Sequence, residues 1–366
     1  MNSTTKKIRI GIIGCGGIAN NKHIPALLKL EHIEIVALCD IVMERAQLAA
    51  KTFELPNAKH YTNYMAMLEE MTLDAVHVLT PNASHAEISI AALEAGCHVM
   101  CEKPMAKTAI EARNMLDAAK RTGKILTIGY QNRFRSDSQY LKKSCLAGEL
   151  GEIYFAKAHA IRRRAVPTWG VFLDAQAQGG GPLIDIGTHA LDLTLWAMNN
   201  YSVKSVQGTV YRKLADQKNT ANAWGDWDPT QFTVEDSAFG FITMTNGATI
   251  FLESSWALNT LDTGEAKTTL CGTKAGADMR EDLRINSVQH GRMTTLKPSL
   301  GLDGVDFYDG TTEEPSLLEA QCFYSAIAMG TPLVVAPQEA LVVTEILEAI
   351  YKSAETGKTI YFNQEA

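Results

Sequence analysis

Three side chains in this chain have the chemistry to take a proton from a hydroxyl group: Lys103, Asp185 and His189. Asp185 and His189 lie four residues apart in Gly179-Gly180-Gly181-Pro182-Leu183-Ile184-Asp185-Ile186-Gly187-Thr188-His189. On a helical turn that spacing sets a carboxylate and an imidazole on one face, where together they can hold a hydroxyl and shuttle its proton. The same pair is equally the ordinary make-up of a solvated helix face, so it needs support from elsewhere. The three glycines upstream would let backbone approach a ligand closely. Lys103 stands in Glu102-Lys103-Pro104, just after the apolar run His98–Cys101, where partial burial can draw an amine towards neutrality. A metal reading finds little: His85, His159 and His189 are isolated, with no C-x-x-C or H-E-x-x-H spacing. Cys97 and Cys101 read as buried core thiols.

A proton acceptor at a carbinol is useful when something else takes the hydride, and the N-terminus offers a place for it. The run Ile8–Ile13 leads into Gly14-Cys15-Gly16-Gly17-Ile18-Ala19, a G-x-G-x-x-A form of the dinucleotide fingerprint. Gly14 serves the tight turn, Gly16 the close approach of a pyrophosphate, and Ala19 the packing of helix on strand. Asp40 closes the next strand about 20 residues on, where a carboxylate binds a ribose diol and repels a 2′-phosphate. Ile41 and Val42 follow it and offer no offsetting cation, so NAD is preferred over NADP. Gly14, Cys15, Gly16, Gly17, Ile18 and Asp40 are therefore the expected nucleotide contacts. Thr80-Pro81-Asn82 and Glu102-Lys103-Pro104 each end a strand, which is where open parallel sheets bind ligands.

The elements that must position these groups fall into two patterns. Up to residue 129, short apolar runs (Ile8–Ile13, Glu34–Cys39, Ala75–Leu79, His98–Cys101, Ile125–Gly129) alternate with helical patterns (Met43–Thr52, Ala83–Ala95, Thr108–Arg121). That alternation predicts a doubly wound α/β domain with a parallel sheet. Pro25 is expected to interrupt the helix that starts after Gly17. From residue 130 to 366 the pattern changes. A helix over Ser138–Ala147 precedes consecutive strands at Ile153–Ile161, Val203–Tyr211, Ser237–Thr243, Ala248–Ala257 and Lys267–Cys271, which predicts an α+β domain with a mostly antiparallel sheet. Helices are expected at Gly187–Met198 and Pro337–Thr356, and the Trp-rich stretch Asn219–Pro229 reads as a loop.

Bulk properties narrow the setting. A chain of 366 residues is long for one core. Its net charge of −7 gives no reason to expect nucleic acid or anionic lipid, and no apolar run approaches a membrane span. The seven scattered cysteines, with no signal-like N-terminus, point to a reducing cytoplasm.

Taken together, Gly14–Ala19, Asp40, Thr80-Pro81-Asn82 with His85, Glu102-Lys103-Pro104 and GGGPLIDIGTHALDL resemble the glucose–fructose oxidoreductase/inositol dehydrogenase (Gfo/Idh/MocA) family along nearly the whole chain. The resemblance implies a Rossmann domain joined to an open antiparallel sheet that carries the substrate and mediates dimers or tetramers. It further implies NAD-dependent oxidation of a secondary hydroxyl, or reduction of the ketone, on a sugar, anhydrosugar or cyclitol. Lys103, Asp185 and His189 would be catalytic, with His189 or Lys103 as proton acceptor. Glu102 would position the nicotinamide ribose, and Thr80, Asn82 and His85 would lie along the cofactor. Ile161-Arg162-Arg163-Arg164-Ala165-Val166-Pro167-Thr168-Trp169-Gly170 is similar to the pyranose and levoglucosan dehydrogenase subgroup, which makes Arg163 and Trp169 sugar-facing candidates. Arg162 and Arg164 read equally well as a solvated basic loop, and Arg133 is a further cleft candidate. Two other readings keep the dinucleotide: redox-assisted glycoside cleavage, and a sensor without catalysis.

Overall fold

The structure is a computed structural model that describes residues 7–218, 221–300 and 314–362. Contacts divide the chain into two compact units, Met1–Gln131 with Glu313–Leu341, and Asn132–Thr312 with Val342–Ala366.

The first unit is built on six parallel strands: β1 (Ile8–Ile13), β2 (Ile33–Cys39), β3 (Lys59–Tyr61), β4 (Ala75–Val78), β5 (His98–Cys101) and β6 (Leu126–Ile128). Their order is β3-β2-β1-β4-β5-β6, the doubly wound order in which the chain reverses direction beside β1. All four residues of β4 are buried, as a strand covered on both faces requires. Local signals fix the helix ends. Thr108 and Glu111 form a reciprocal capping box at the start of Ala109–Thr122, and Gly123 ends that helix with φ +66°.

Two expectations are corrected here. Pro25 does not stop the first helix, because a π turn over Ala19–His23 precedes it and the α segment Ile24–Leu27 starts with Pro25 in its first turn. Helical backbone is continuous through His23 and Ile24, and the wide turn loosens the ladder just where the proline lacks an N–H, so the helix runs on to Leu27. The second correction concerns the domain split at residue 130, because Glu313–Leu341 returns to the first unit. The helix Pro315–Met329 presents Leu317, Ala320, Phe323 and Tyr324 to the cluster that holds Ile10, Ile12 and Leu38. Tyr324 also donates its hydroxyl to, or accepts from, Nε2 of the fully buried His77 at 2.7 Å.

The second unit is a nine-stranded sheet of β7 (Ile153–Ile161), β8 (Val203–Tyr211), β9 (Ser237–Met244), β10 (Thr249–Ser255), β11 (Gly264–Gly272), β12 (Ala275–Asp278), β13 (Arg284–Gln289), β14 (Arg292–Leu296) and β15 (Ile360–Tyr361). Its order is β14-β13-β12-β11-β7-β10-β9-β8-β15, antiparallel except where β7 meets β10. The nearly all-buried helix Thr188–Met198 packs on β7 and β11. Ile350, in the helix Pro337–Thr356, seats against Gly208 and Gly240, where any side chain would collide with it. The residues 221–229 are without regular structure, as expected; Asn219 and Thr220 lie outside the described residues.

Candidate active site

The glycine loop after β1 is shaped by three constraints. Gly14 has φ +95°, and a Cβ there would come within 2.5 Å of the Leu79 carbonyl oxygen, so turn and packing both demand glycine. At Gly16 a Cβ would meet nothing within 4 Å. That open side is the room a pyrophosphate needs at the loop. Asn20, which sequence reasoning passed over, holds the loop from below by donating from Nδ2 to the carbonyls of Cys15 and Gly16, both at 2.9 Å. Ile18 packs on the core below, and the buried Cys15 thiol is pushed up to about 12 by burial and by the charge of Asp40, which leaves it inert as a nucleophile.

Asp40 is buried, and its two oxygens accept the N–H groups of Cys15 and Val42 at 2.9 Å. It therefore ties the end of β2 to the glycine loop, and each oxygen retains a lone pair for a ribose hydroxyl. The next two residues, Ile41 and Val42, carry no charge. Arg45, one helical turn on, brings its guanidinium to 3.8 Å from Asp40 and softens the repulsion of a 2′-phosphate.

At the ends of β4 and β5 the side chains are coupled. Glu102 is buried, with Oε1 2.8 Å from Nε2 of His23 and Oε2 accepting the Lys103 backbone N–H at 3.0 Å. Burial alone would raise its carboxyl, but the hydrogen bond and charge of His23, together with Lys103, outweigh it and hold the group at about 2. Glu102 is thus a fixed anion that orients the backbone beneath Lys103. His23, the second residue missed from sequence, is its counter-group. The Lys103–Pro104 bond is cis.

His85 departs from expectation. It is fully buried, and its two ring nitrogens lie 2.8 Å from the carbonyl oxygens of Pro104 and Thr80. Instead of lying along a cofactor, it ties the two strand-end loops together from within, because it opens the helix His85–Glu94 with its ring turned into the core. Burial lowers its pKa, against the pull of those two carbonyls. Thr80 and Asn82 are partly exposed at this edge; the Thr80 hydroxyl accepts from Ser84 at 2.7 Å.

In the second unit, Asp185 stands in a π turn over Leu183–Gly187, and His189 is in the first turn of the α-helix that continues from it. The turn is closed by the Thr188 N–H bonding to the Leu183 carbonyl, five residues back. Such wide turns cluster at functional sites because they displace a side chain from the regular helical register. The Asp185 carboxylate accepts from the indole Nε1 of the fully buried Trp256 at 3.0 Å, and Arg162 reaches it at 4.0 Å. Arg162 is itself fixed by a bidentate pair with Glu265, at 2.6 and 2.7 Å. Of the three consecutive arginines, it is the one beside the carboxylate.

The triple glycine upstream has a different reason from the one expected. Gly179 is a left-handed cap with φ +82°. A side chain at Gly180 would strike the Tyr351 hydroxyl, and one at Gly181 the backbone oxygen of Glu235. The protein's own groups occupy the space that a ligand was expected to use. Glu235, fully buried with its carboxyl raised by burial, accepts the N–H groups of Gly181 at 2.8 Å and Leu183 at 3.1 Å, and the Tyr351 hydroxyl at 2.8 Å. These two residues anchor the segment that launches Asp185.

The remaining candidates separate. Arg133 has no exposed surface: Asp192 takes its guanidinium at 2.5 and 2.9 Å, and it lies over the Trp196 ring. A charge buried in a bidentate pair is a structural anchor, so the cleft-lining role expected for Arg133 is withdrawn. Arg163 is exposed. Trp169 is 52% exposed and packs edge-on against Phe172 and Trp224.

Comparison with known proteins agrees with this architecture. Residues 8–130 match the oxidoreductase family with an NAD-binding Rossmann fold (GFO_IDH_MocA), and residues 138–278 match the GFO/IDH/MocA C-terminal domain. The D-glucoside 3-dehydrogenase of Escherichia coli (strain K12) is 38% identical over 358 residues, covering 98% of each chain. The glucose-6-phosphate 3-dehydrogenase of Bacillus subtilis (strain 168) is 34% identical over 190 residues, 50% of this chain and 52% of that one. A levoglucosan dehydrogenase, solved in complex with NADH and levoglucosan, shares the fold at a TM-score of 0.82 with 21% identity, over 98% of this chain and 100% of that one.

Proposed function

The chain belongs to the Gfo/Idh/MocA family of oxidoreductases, and from that premise we propose that it is an NAD-dependent dehydrogenase of pyranosides that oxidises the C3 hydroxyl to a ketone. The observation that carries this is the Asp185–His189 couple, set on one π-to-α turn, with its carboxylate held by Trp256 and Arg162. C3 is favoured because both sequence relatives described above are named as 3-dehydrogenases.

Gly14 to Ile18 and Asp40 hold the dinucleotide, which accepts the hydride when bound. Asp185 accepts a hydrogen bond from a ring hydroxyl adjacent to the reacting one. The C3 hydroxyl gives its proton to His189 or Lys103, the electron pair of that O–H bond becomes the second bond of the carbonyl, and the C3–H pair departs with the hydride. Such proton transfer contributes on the order of 10²–10⁴ in rate. The test is a screen for NADH production over methyl glucosides, free hexoses, anhydrosugars and inositols. The expected outcome is a 3-ketoglucoside, formed faster with NAD than with NADP. Glycoside cleavage without net NADH would replace this reading by redox-assisted hydrolysis, and silence across the whole panel would end it.

The outer face of the large sheet supports a homodimer or homotetramer. Phe251, on β10, contacts Phe155 of β7 and Phe241 of β9 edge-on, with ring centroids 5.6 and 5.1 Å apart, and Phe241, Phe251 and Tyr211 are all more than a third exposed. Opposite them, Ile250 and Leu252 are buried beneath the helical side. A row of exposed rings across adjacent strands matches a self-complementary face between two copies. Sedimentation equilibrium is expected to show the oligomer for the native chain and smaller species for Phe251→Glu; a native monomer would contradict it. The seven cysteines, none in a disulfide, support a reducing, cytoplasmic setting. Among the described residues no helix is long and apolar enough to cross a membrane.

A further inference from the structure

The Trp-rich loop that sequence reading left without a role lies one guanidinium away from Asp185. Arg162, 4.0 Å from the Asp185 carboxylate, also has its Cζ 5.2 Å above the ring of Trp224. Trp224 meets Trp169 with centroids 4.9 Å apart, and Trp169 meets Phe172 at 5.9 Å, both edge-on. Three aromatic rings therefore continue outwards from the carboxylate. Trp224 is 43% and Trp169 52% exposed.

Two loops carry these rings, and they are stitched to each other. Asn222 accepts the Val166 N–H at 2.8 Å and donates to the Val166 carbonyl at 3.0 Å and the Gly225 carbonyl at 2.7 Å. The Ala223 N–H bonds to the Arg164 carbonyl, and the Thr168 hydroxyl to the Trp224 carbonyl. Holding two indoles half in water costs hydration free energy, and such a fixed, exposed cluster marks a surface that something apolar covers. Its position decides what. A pyranoside whose ring is held at Asp185 carries a substituent on its anomeric carbon, and that substituent has to go somewhere beside the ring.

We propose that Trp169, Trp224 and Phe172 form a subsite for the anomeric substituent of the substrate, taking the apolar face of an aryl group or of a second sugar ring. Arg162 marks the border between this subsite and the reacting ring. The inference rests on the pyranoside reading above and deepens it: the preferred substrates are glycosides with a flat substituent, and free hexoses leave the rings uncovered.

The experiment measures binding, so it does not depend on turnover. Calorimetric titration of the NADH-loaded protein with methyl and with phenyl D-glucosides, each in both anomers, gives the ratio of their dissociation constants. Stacking on two indoles is expected to favour one phenyl anomer over its methyl counterpart by roughly tenfold. That ratio is expected to collapse towards one in Trp224→Ala and in Trp169→Ala. Trp169 is the more exposed of the two, so its variant keeps the test sound if the Trp224 loop loosens. A native ratio near one, or a ratio unchanged in both variants, would overturn the subsite while leaving the pyranoside reading intact. Binding of neither methyl nor phenyl glucoside would overturn the pyranoside reading, and the subsite with it.

Discussion

Lys103→Ala and His189→Ala are each expected to lower kcat by about 10²–10⁴ while leaving NADH affinity within a few-fold of the native value, because a proton acceptor is used only as the carbinol reacts. Asp40→Ala is expected to do the reverse. It removes the acceptor of the Cys15 and Val42 N–H groups and the ribose partner together, so the dissociation constant for NADH should rise at least tenfold. With Arg45 already at 3.8 Å and no longer facing a carboxylate, the preference for NAD over NADP should shrink by more than tenfold. Fluorescence titration of both cofactors and single-turnover kinetics separate the two effects. Near-native turnover in either alanine variant would remove that residue from the catalytic role. Unchanged affinities for both cofactors in the Asp40 variant would remove Asp40 from the nucleotide site.

The second large effect is expected at Gly181, which touches no substrate in this reading. A methyl group there falls onto the backbone oxygen of Glu235, and backbone cannot turn aside as a flexible side chain can. Overpacking of this kind costs about 1–3 kcal/mol. Since Gly181 and Leu183 are the points where Glu235 grips the chain, the strain passes directly into the π turn that carries Asp185. Gly181→Ala is therefore expected to lower Tm by about 3–10 °C and kcat by up to about 10²-fold, the scale on which small misplacements act. NADH affinity should stay native, because the glycine loop belongs to the other compact unit. Gly180→Ala meets side chains alone, those of Tyr351 and Ile184, which can shift where backbone cannot, and should be milder. Scanning calorimetry with steady-state kinetics reads both. Native Tm and kcat in Gly181→Ala would show that the segment yields freely and that Glu235 does not position Asp185.

Glu235 and Tyr351 illustrate what could not be read in advance. Nothing in the sequence near either one refers to the triple glycine, whose Gly181 is 54 positions from Glu235, and Tyr351 is a further 116 positions along the chain. The glycines themselves were visible, and their need for close approach was inferred correctly. What approaches was not, since a ligand and a folded-in tyrosine leave the same mark on sequence. Arg133 and His85 failed for a related reason: residue type shows what a side chain can bond, while burial decides what it does bond. The strands β13 and β14 escaped notice because they are largely exposed on both faces, with no alternation of apolar residues to reveal them.

What the sequence by itself determined was local. Strand β1, the glycine turn, Asp40 at the end of β2, and the helices Met43–Thr52 and Pro337–Thr356 follow from periodicity and backbone preference within a few neighbouring residues. The tertiary structure alone decided which helix completes the first core, that Arg162 is the arginine beside Asp185, and that His23 pairs with Glu102. These pairings join positions far apart in the chain. Their free energies arise only once water has been excluded around both partners, so no stretch of sequence carries them on its own.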